Sequence, residues 1–149
     1  MTENYVIVSA KTFDEARKEI RKNEGKKIIF SGNDDELNRK ILEKEKISVL
    51  LLSQAGRKDR LKQKDSGLNE VLAKIAKKEN IAVGINLDEI INSGKEQKAK
   101  ILARAEQNIR LCRKNKVAIK FVSEKKHDPY NLKSLGLVLG MPTWMTKEL

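Results

Sequence analysis

Five short, almost uninterrupted apolar runs recur along this chain, each followed by the start of a helical pattern. The runs are Tyr5–Val8, Lys27–Phe30, Ser48–Leu52, Ile81–Ile85 and Val117–Val122. Runs of this length, rich in Val, Ile and Leu and bounded by turn residues, read as buried strands. Thr12-Phe13-Asp14-Glu15 is a capping box that opens a helix to about Asn23, and Asn33-Asp34-Asp35-Glu36 opens another to about Lys44. Val71, Leu72, Ile75 and Ala76 form a helical stripe, and Asn86-Leu87-Asp88-Glu89 starts a short helix. Ser93-Gly94-Lys95-Glu96 starts a long one to about Asn115, and Asp128-Pro129 starts a last one to about Gly140. Strand and helix therefore alternate, which predicts an α/β fold, a (β/α)-repeat built on a parallel sheet of about five strands. Strands this apolar predict helices on both faces of the sheet. Five strands are too few to close an eight-stranded barrel, so the sheet is either open or completed by a partner.

In such folds ligands meet the loops at the carboxyl ends of the strands. Here those loops hold Ser31-Gly32-Asn33, the stretch Gln54 to Lys64, Asn86 to Glu89, and Ser123 to Asp128. The second is the most basic. Arg57, Lys58, Arg60, Lys62 and Lys64 stand against one acid, Asp59, and the chain then turns at Asp65-Ser66-Gly67 into a helix. A basic loop ending at a helix start grips phosphate twice, through its side chains and through the free N–H groups of the first turn.

The formal net charge is +11, and it is unevenly placed. Residues 57–64 carry a net of +4 and residues 95–126 a net of +8, so the remainder nets −1. A general lysine bias would spread the excess evenly. Charge gathered into two segments points to a polyanionic partner. Aromatics are few, only 4%, so the expected contact is to backbone and shape rather than to stacked bases.

A length of 149 residues predicts one domain, residues 1–149, with a core that needs no disulfide. Cys112 is the only cysteine and falls on the apolar side of the long helix, so a buried, inert thiol and a reducing, cytoplasmic setting are expected. The first residues lack a signal-peptide pattern, and no apolar run approaches a membrane span, which predicts a soluble, intracellular chain.

Catalytic patterns are scarce. Asp34, Asp35, Asp59, Asp65, Asp88 and Asp128 sit in loops or at helix starts, where capping explains most of them. His127 is the single histidine, which leaves no histidine pair for metal or acid–base work and reads as a surface residue. No phosphate-binding glycine motif of the Walker or dinucleotide type occurs. The long helix is two-faced: Ile101, Leu102, Ala105, Ile109 and Cys112 on one side, with Arg110 and Arg113 beside Glu106 on a flank. Lys100, Arg104 and Lys114 are expected on its outside. That outside reads either as a solvated face or as a second basic surface for phosphate or a protein partner.

Three runs together resemble the archaeal ribonuclease P protein component 3 family. They are RKDRLKQKDSGLNEVLAKIAKKENIAVGINLDEIIN from Arg57, QNIRLCRKNKV from Gln107 and DPYNLKSLGLVLGM from Asp128. The resemblance covers about the last ninety residues, in order and spacing; earlier residues match only in their βαβ pattern. It implies a (β/α) barrel-like fold, here a truncated TIM-barrel-like sheet with outer helices. It also implies a protein subunit, not catalytic by itself, of the endoribonuclease that removes 5′ leaders from precursor tRNA. In that enzyme the RNA carries the chemistry with bound Mg²⁺, and the chain itself is expected to bind no cofactor or metal. The implied partners are ribonuclease P RNA, ribonuclease P protein component 2 and the other holoenzyme proteins, with precursor tRNA met indirectly and no membrane. Carried onto this sequence, the RNA-binding positions are Arg57, Lys58, Arg60, Lys62, Lys64, Ser66, Gly67 and Asn69. A second basic surface or partner contact falls on Asn108, Arg110, Arg113 and Lys114. Two other readings compete: a small-molecule enzyme on a βα scaffold acting on a phosphorylated substrate, and a protein-interaction module using the long helix.

Overall fold

The computed structural model describes residues 5–32, 34–55, 66–147 and 149. The five apolar runs become β1 (Tyr5–Ser9), β2 (Lys27–Ser31), β3 (Val49–Leu52), β4 (Ala82–Asn86) and β5 (Ile119–Val122). Helices α1 (Phe13–Lys22), α2 (Asp35–Lys44) and α3 (Glu70–Lys78) link the first four strands. Between β4 and β5 come α4 (Leu87–Asn92) and α5 (Lys95–Asn115), and α6 (Pro129–Val138) and α7 (Thr143–Thr146) close the chain.

Local chemistry sets these boundaries. Thr12 caps α1 by accepting from the Glu15 N–H, and Asp34 caps α2 by accepting from the Glu36 N–H. Asn69, Asn86 and Asp128 do the same for α3, α4 and α6. The far end of α5 turns off at Lys116, whose φ of 61° is left-handed and lets its N–H reach back to the Cys112 and Arg113 carbonyls.

The sheet runs β1-β2-β3-β4-β5, every pair parallel, so each strand lies beside its sequence neighbour. This order is that of a barrel wall, and among the described residues β1 and β5 are its edges. The expectation of helices on both faces does not hold. Ile28, Phe30, Leu50, Leu52, Val83, Ile85, Ile119 and Phe121 point one way and share the main core with apolar residues of the helices. Ile29, Val49, Leu51 and Val122 point the other way and form a separate cluster that contains no helix residue. Tyr5 and Ile7 of β1 and the residues after β5, at opposite edges, line one cleft of about 190 Å³. The sheet curls toward a cleft on that face, where Ile29, Val49, Leu51 and Val122 are buried and Ile7 of β1 is 57% exposed.

Gly84 on β4 shows how tight that inner face is. A Cβ there would stand 2.9 Å from Val49 Cγ1 and 3.3 Å from Leu51 Cα. On the helical side, α5 packs against α3 and α4 and buries Ile101, Ala105, Ile109 and Cys112. Burial also pushes the Cys112 thiol up to about 12, so it stays protonated and unreactive.

Candidate nucleic-acid interface at the carboxyl rim

The β3–α3 connection leaves the sheet after Leu52 and returns at Asn69, on the carboxyl rim. Arg57, Lys58, Arg60, Lys62 and Lys64 lie outside the described residues. What the structure does define is the ground from which that loop rises, and it is built from buried polar groups. Gln54 and Ser66 are 3% and 1% exposed. The Gln54 side-chain amide donates to the Ser66 carbonyl at 2.7 Å and to the Leu52 carbonyl at 3.2 Å. The two ends of the loop are thus tied together across twelve residues. Buried polar groups at this depth are costly unless paired, so the tie is strongly specified.

Two helices brace it. The Glu89 carboxylate of α4 accepts from the Gln54 N–H at 2.6 Å and from the Ala55 N–H at 3.1 Å. From α5, Arg104 Nη1 donates to the Gln54 carbonyl at 3.2 Å, and Arg104 is only 2% exposed. Gln54 is therefore held at its N–H, its carbonyl and its side chain at once. Arg104 is not an outer-face charge as the sequence suggested; it lies on the core side of α5, in line with Ile101 and Asn108.

Asp88, the neighbour of Glu89, reaches the other way. It accepts from the Ser123 hydroxyl and, at 2.9 Å, from the Glu124 N–H, fixing the loop between β5 and α6. These bonds, the one from Ser123 first, with a smaller electrostatic contribution from nearby His127 and Lys125, hold the Asp88 carboxyl below the usual carboxylate range. Ser123 Oγ accepts from the Lys125 N–H at 3.2 Å and lies 3.0 Å from His127 Nε2. The three residues of a hydrolytic triad are present in the wrong order. The Ser123 hydroxyl donates to the aspartate and accepts from the Lys125 N–H, with His127 Nε2 within hydrogen-bond distance. Ser123 and Asp88 together tie the turn between β5 and α6. Among the described residues, no group of three or more His, Cys, Asp or Glu converges to hold a metal ion.

The remaining predicted positions separate. Ser66 and Gly67 are buried, with Gly67 at φ 83°, so the structure places them at the loop's exit and not on the exposed surface. Asn69 is exposed but its side chain accepts from the Leu72 N–H at 2.9 Å as the α3 cap. Asn108 is 1% exposed and cannot belong to a surface patch. Arg110, Arg113 and Lys114 are exposed, and Lys114 pairs with Glu70 at 3.5 Å. They are not on the rim. α5 starts at the rim and descends toward the amino end of β5. Arg113 is nine residues beyond Arg104, about 14 Å further down at 1.5 Å per residue. The exposed basic residues late in α5 therefore lie apart from the rim where the β3–α3 connection begins and ends.

Fold and rim together define a parallel (β/α)-sheet protein whose carboxyl-end loops are set on a buried polar base. Its relatives give that class a more particular identity. The chain is similar to archaeal ribonuclease P protein component 3. One such protein, from Methanococcus maripaludis, is 25% identical over 146 residues, 97% of this chain and 60% of the relative. Another, from Methanosarcina mazei, is 30% identical over 97 residues, 65% of this chain and 38% of the relative. The chain thus spans about 60% of the length of the first of these. The likeness is not confined to the last ninety residues; it runs through β1 as well. Among solved structures, a chain of a cryo-EM structure of archaeal ribonuclease P with mature tRNA matches in fold. Its TM-score is 0.78 at 22% identity, over 97% of this chain and 63% of that one. No protein-family model matches.

Proposed function

We propose that this chain is an RNA-binding protein subunit of ribonuclease P, supporting RNA-catalysed removal of 5′ leaders from precursor tRNA. One observation carries the reading: the most basic segment of the chain springs from the carboxyl rim, and a buried clasp fixes both of its ends. The names of the relatives support it. In this role residues 1–149 act as one domain, and the rim loop is the RNA contact. Arg57, Lys58, Arg60, Lys62 and Lys64 screen phosphate repulsion and release counterions on binding. Arg110, Arg113 and Lys114, facing away from the rim, meet a second partner, for which ribonuclease P protein component 2 is the natural candidate. Mg²⁺ and the hydrolytic chemistry belong to the RNA, and the setting is the cytoplasm.

Reconstitution tests this directly. Adding the chain to the cognate RNA and remaining subunits is expected to raise precursor-tRNA cleavage or lower its Mg²⁺ requirement. No effect on either would sink the proposal. Alanine at Arg57, Lys58, Arg60 and Lys62 together is expected to flatten the salt dependence of RNA binding by about 3 to 4 in log–log slope. An unchanged slope would remove the loop from the interface.

A further inference from the structure

Asp88 and Glu89 are consecutive carboxylates in the first turn of α4, and each receives two hydrogen bonds from a different rim loop. Only Glu89 serves the connection that carries the basic loop. Its two acceptor oxygens take the last two N–H groups described before that loop, and Arg104 takes the Gln54 carbonyl from the opposite helix. The Gln54 amide then reaches across to Ser66, where the chain returns. A carboxylate beneath a phosphate-binding loop is unfavourable for charge, because it repels the ligand. The Arg104 guanidinium, 2% exposed, meets the Gln54 carbonyl from inside the fold, where RNA does not reach it. Both make sense as geometry: a basic loop clamped at its neck loses less conformational freedom on binding.

We propose that Glu89 and Arg104 are positioning residues for RNA binding, acting through Gln54 to set the neck of the β3–α3 loop. The inference rests on the RNA-binding reading above and adds to it residues that no contact with RNA would reveal.

The neighbouring carboxylates supply the experiment. Glu89→Gln and Asp88→Asn make the same charge change one residue apart. By charge alone, each removes a repulsion and tightens RNA binding by less than about twofold. Glu89→Gln also loses one of the two acceptors at the neck, so it is expected to weaken binding by about tenfold despite the added positive charge. Asp88→Asn is expected to follow the charge rule. The second measurement needs no RNA. The loop holds five trypsin sites, at Arg57, Lys58, Arg60, Lys62 and Lys64. Native-state cleavage within residues 57–64 is expected to rise by about tenfold in Glu89→Gln and to stay at the wild-type rate in Asp88→Asn. Arg104→Met is the stronger version of the same test. If it fails to fold, the isosteric Glu89→Gln still decides the matter. Equal affinities and equal loop cleavage for the two carboxylate variants would overturn the proposal. Absence of RNA binding by the wild-type chain would instead sink the RNA-binding reading, while the cleavage arm would still report on the clasp.

Discussion

The two loop clasps of α4 use the same chemistry in different surroundings. Glu89 works at a base where Gln54, Ser66 and Arg104 are all at most 3% exposed. Asp88 works beside Glu124, Lys125 and Lys126, all exposed. In the first clasp water cannot replace the Gln54–Ser66 and Arg104–Gln54 bonds, which are buried, although the Ala55 N–H that Glu89 also holds is exposed; in the second clasp the Glu124 N–H is likewise exposed and no bond is fully buried. The number of hydrogen bonds is therefore a poor guide to what each clasp contributes, and burial decides.

That contrast is open to direct attack. Arg104→Ala is expected to do the most damage, about 3 kcal/mol in denaturant unfolding, because it empties a buried site and leaves the Gln54 carbonyl without its donor. A loss under about 1 kcal/mol would mean that water reaches this base after all. Glu89→Ala comes next, at about 2 kcal/mol, since the Gln54 and Ala55 N–H groups lose their acceptor together. Asp88→Ala is expected to cost about 1 kcal/mol or less, because Ser123 and the Glu124 N–H turn to solvent.

The Asp88 clasp also carries a pH signature. Its folded carboxyl titrates below the unfolded one. Its contribution is therefore complete above the unfolded value, near 4, and fades as pH falls through the lower folded value. Asp88→Asn should flatten that part of the acid limb in unfolding measured from about pH 5 to pH 2. The smallest effect offers the finest probe. Cys112 sits on α5 with Arg104, fully buried and with its thiol pushed up to about 12. A thiol reagent at pH 8 should leave the native chain unlabelled, label Arg104→Ala faster and leave Asp88→Ala unchanged. Equal labelling of the two variants would show that the clasps are not independent.

Much of the scaffold was legible in the sequence because strands and caps are local. The five apolar runs and the Thr12, Asp34, Asn86 and Asp128 starts are each set within a few residues. Which side the helices cover was not legible, since a curled inner face demands the same Val, Ile and Leu as a helix-covered one. The clasp was missed for a different reason. Gln54 meets Glu89 and Arg104 across 35 and 50 residues, a distance no local pattern spans. One signal was available. Arg104 and Asn108 fall on the helical row of Ile101 and Ala105, and polar residues on an apolar row announce a buried network. Asp88 and Glu89 looked like caps, but Asn86 performs the capping, which leaves both carboxylates for the loops.

Among the described residues, the sheet that places this rim ends at β1. No described strand pairs with the outer side of β1, and Ile7 on that strand is 57% exposed. Such an edge is a template for another chain. At low ionic strength the +11 charge keeps copies apart. At about 1 M salt the screening length shrinks to roughly 3 Å and that protection is gone. Colloidal stability thus declines as salt is raised, in the same direction as the RNA binding proposed above, and light scattering across a salt titration separates self-association from release of RNA.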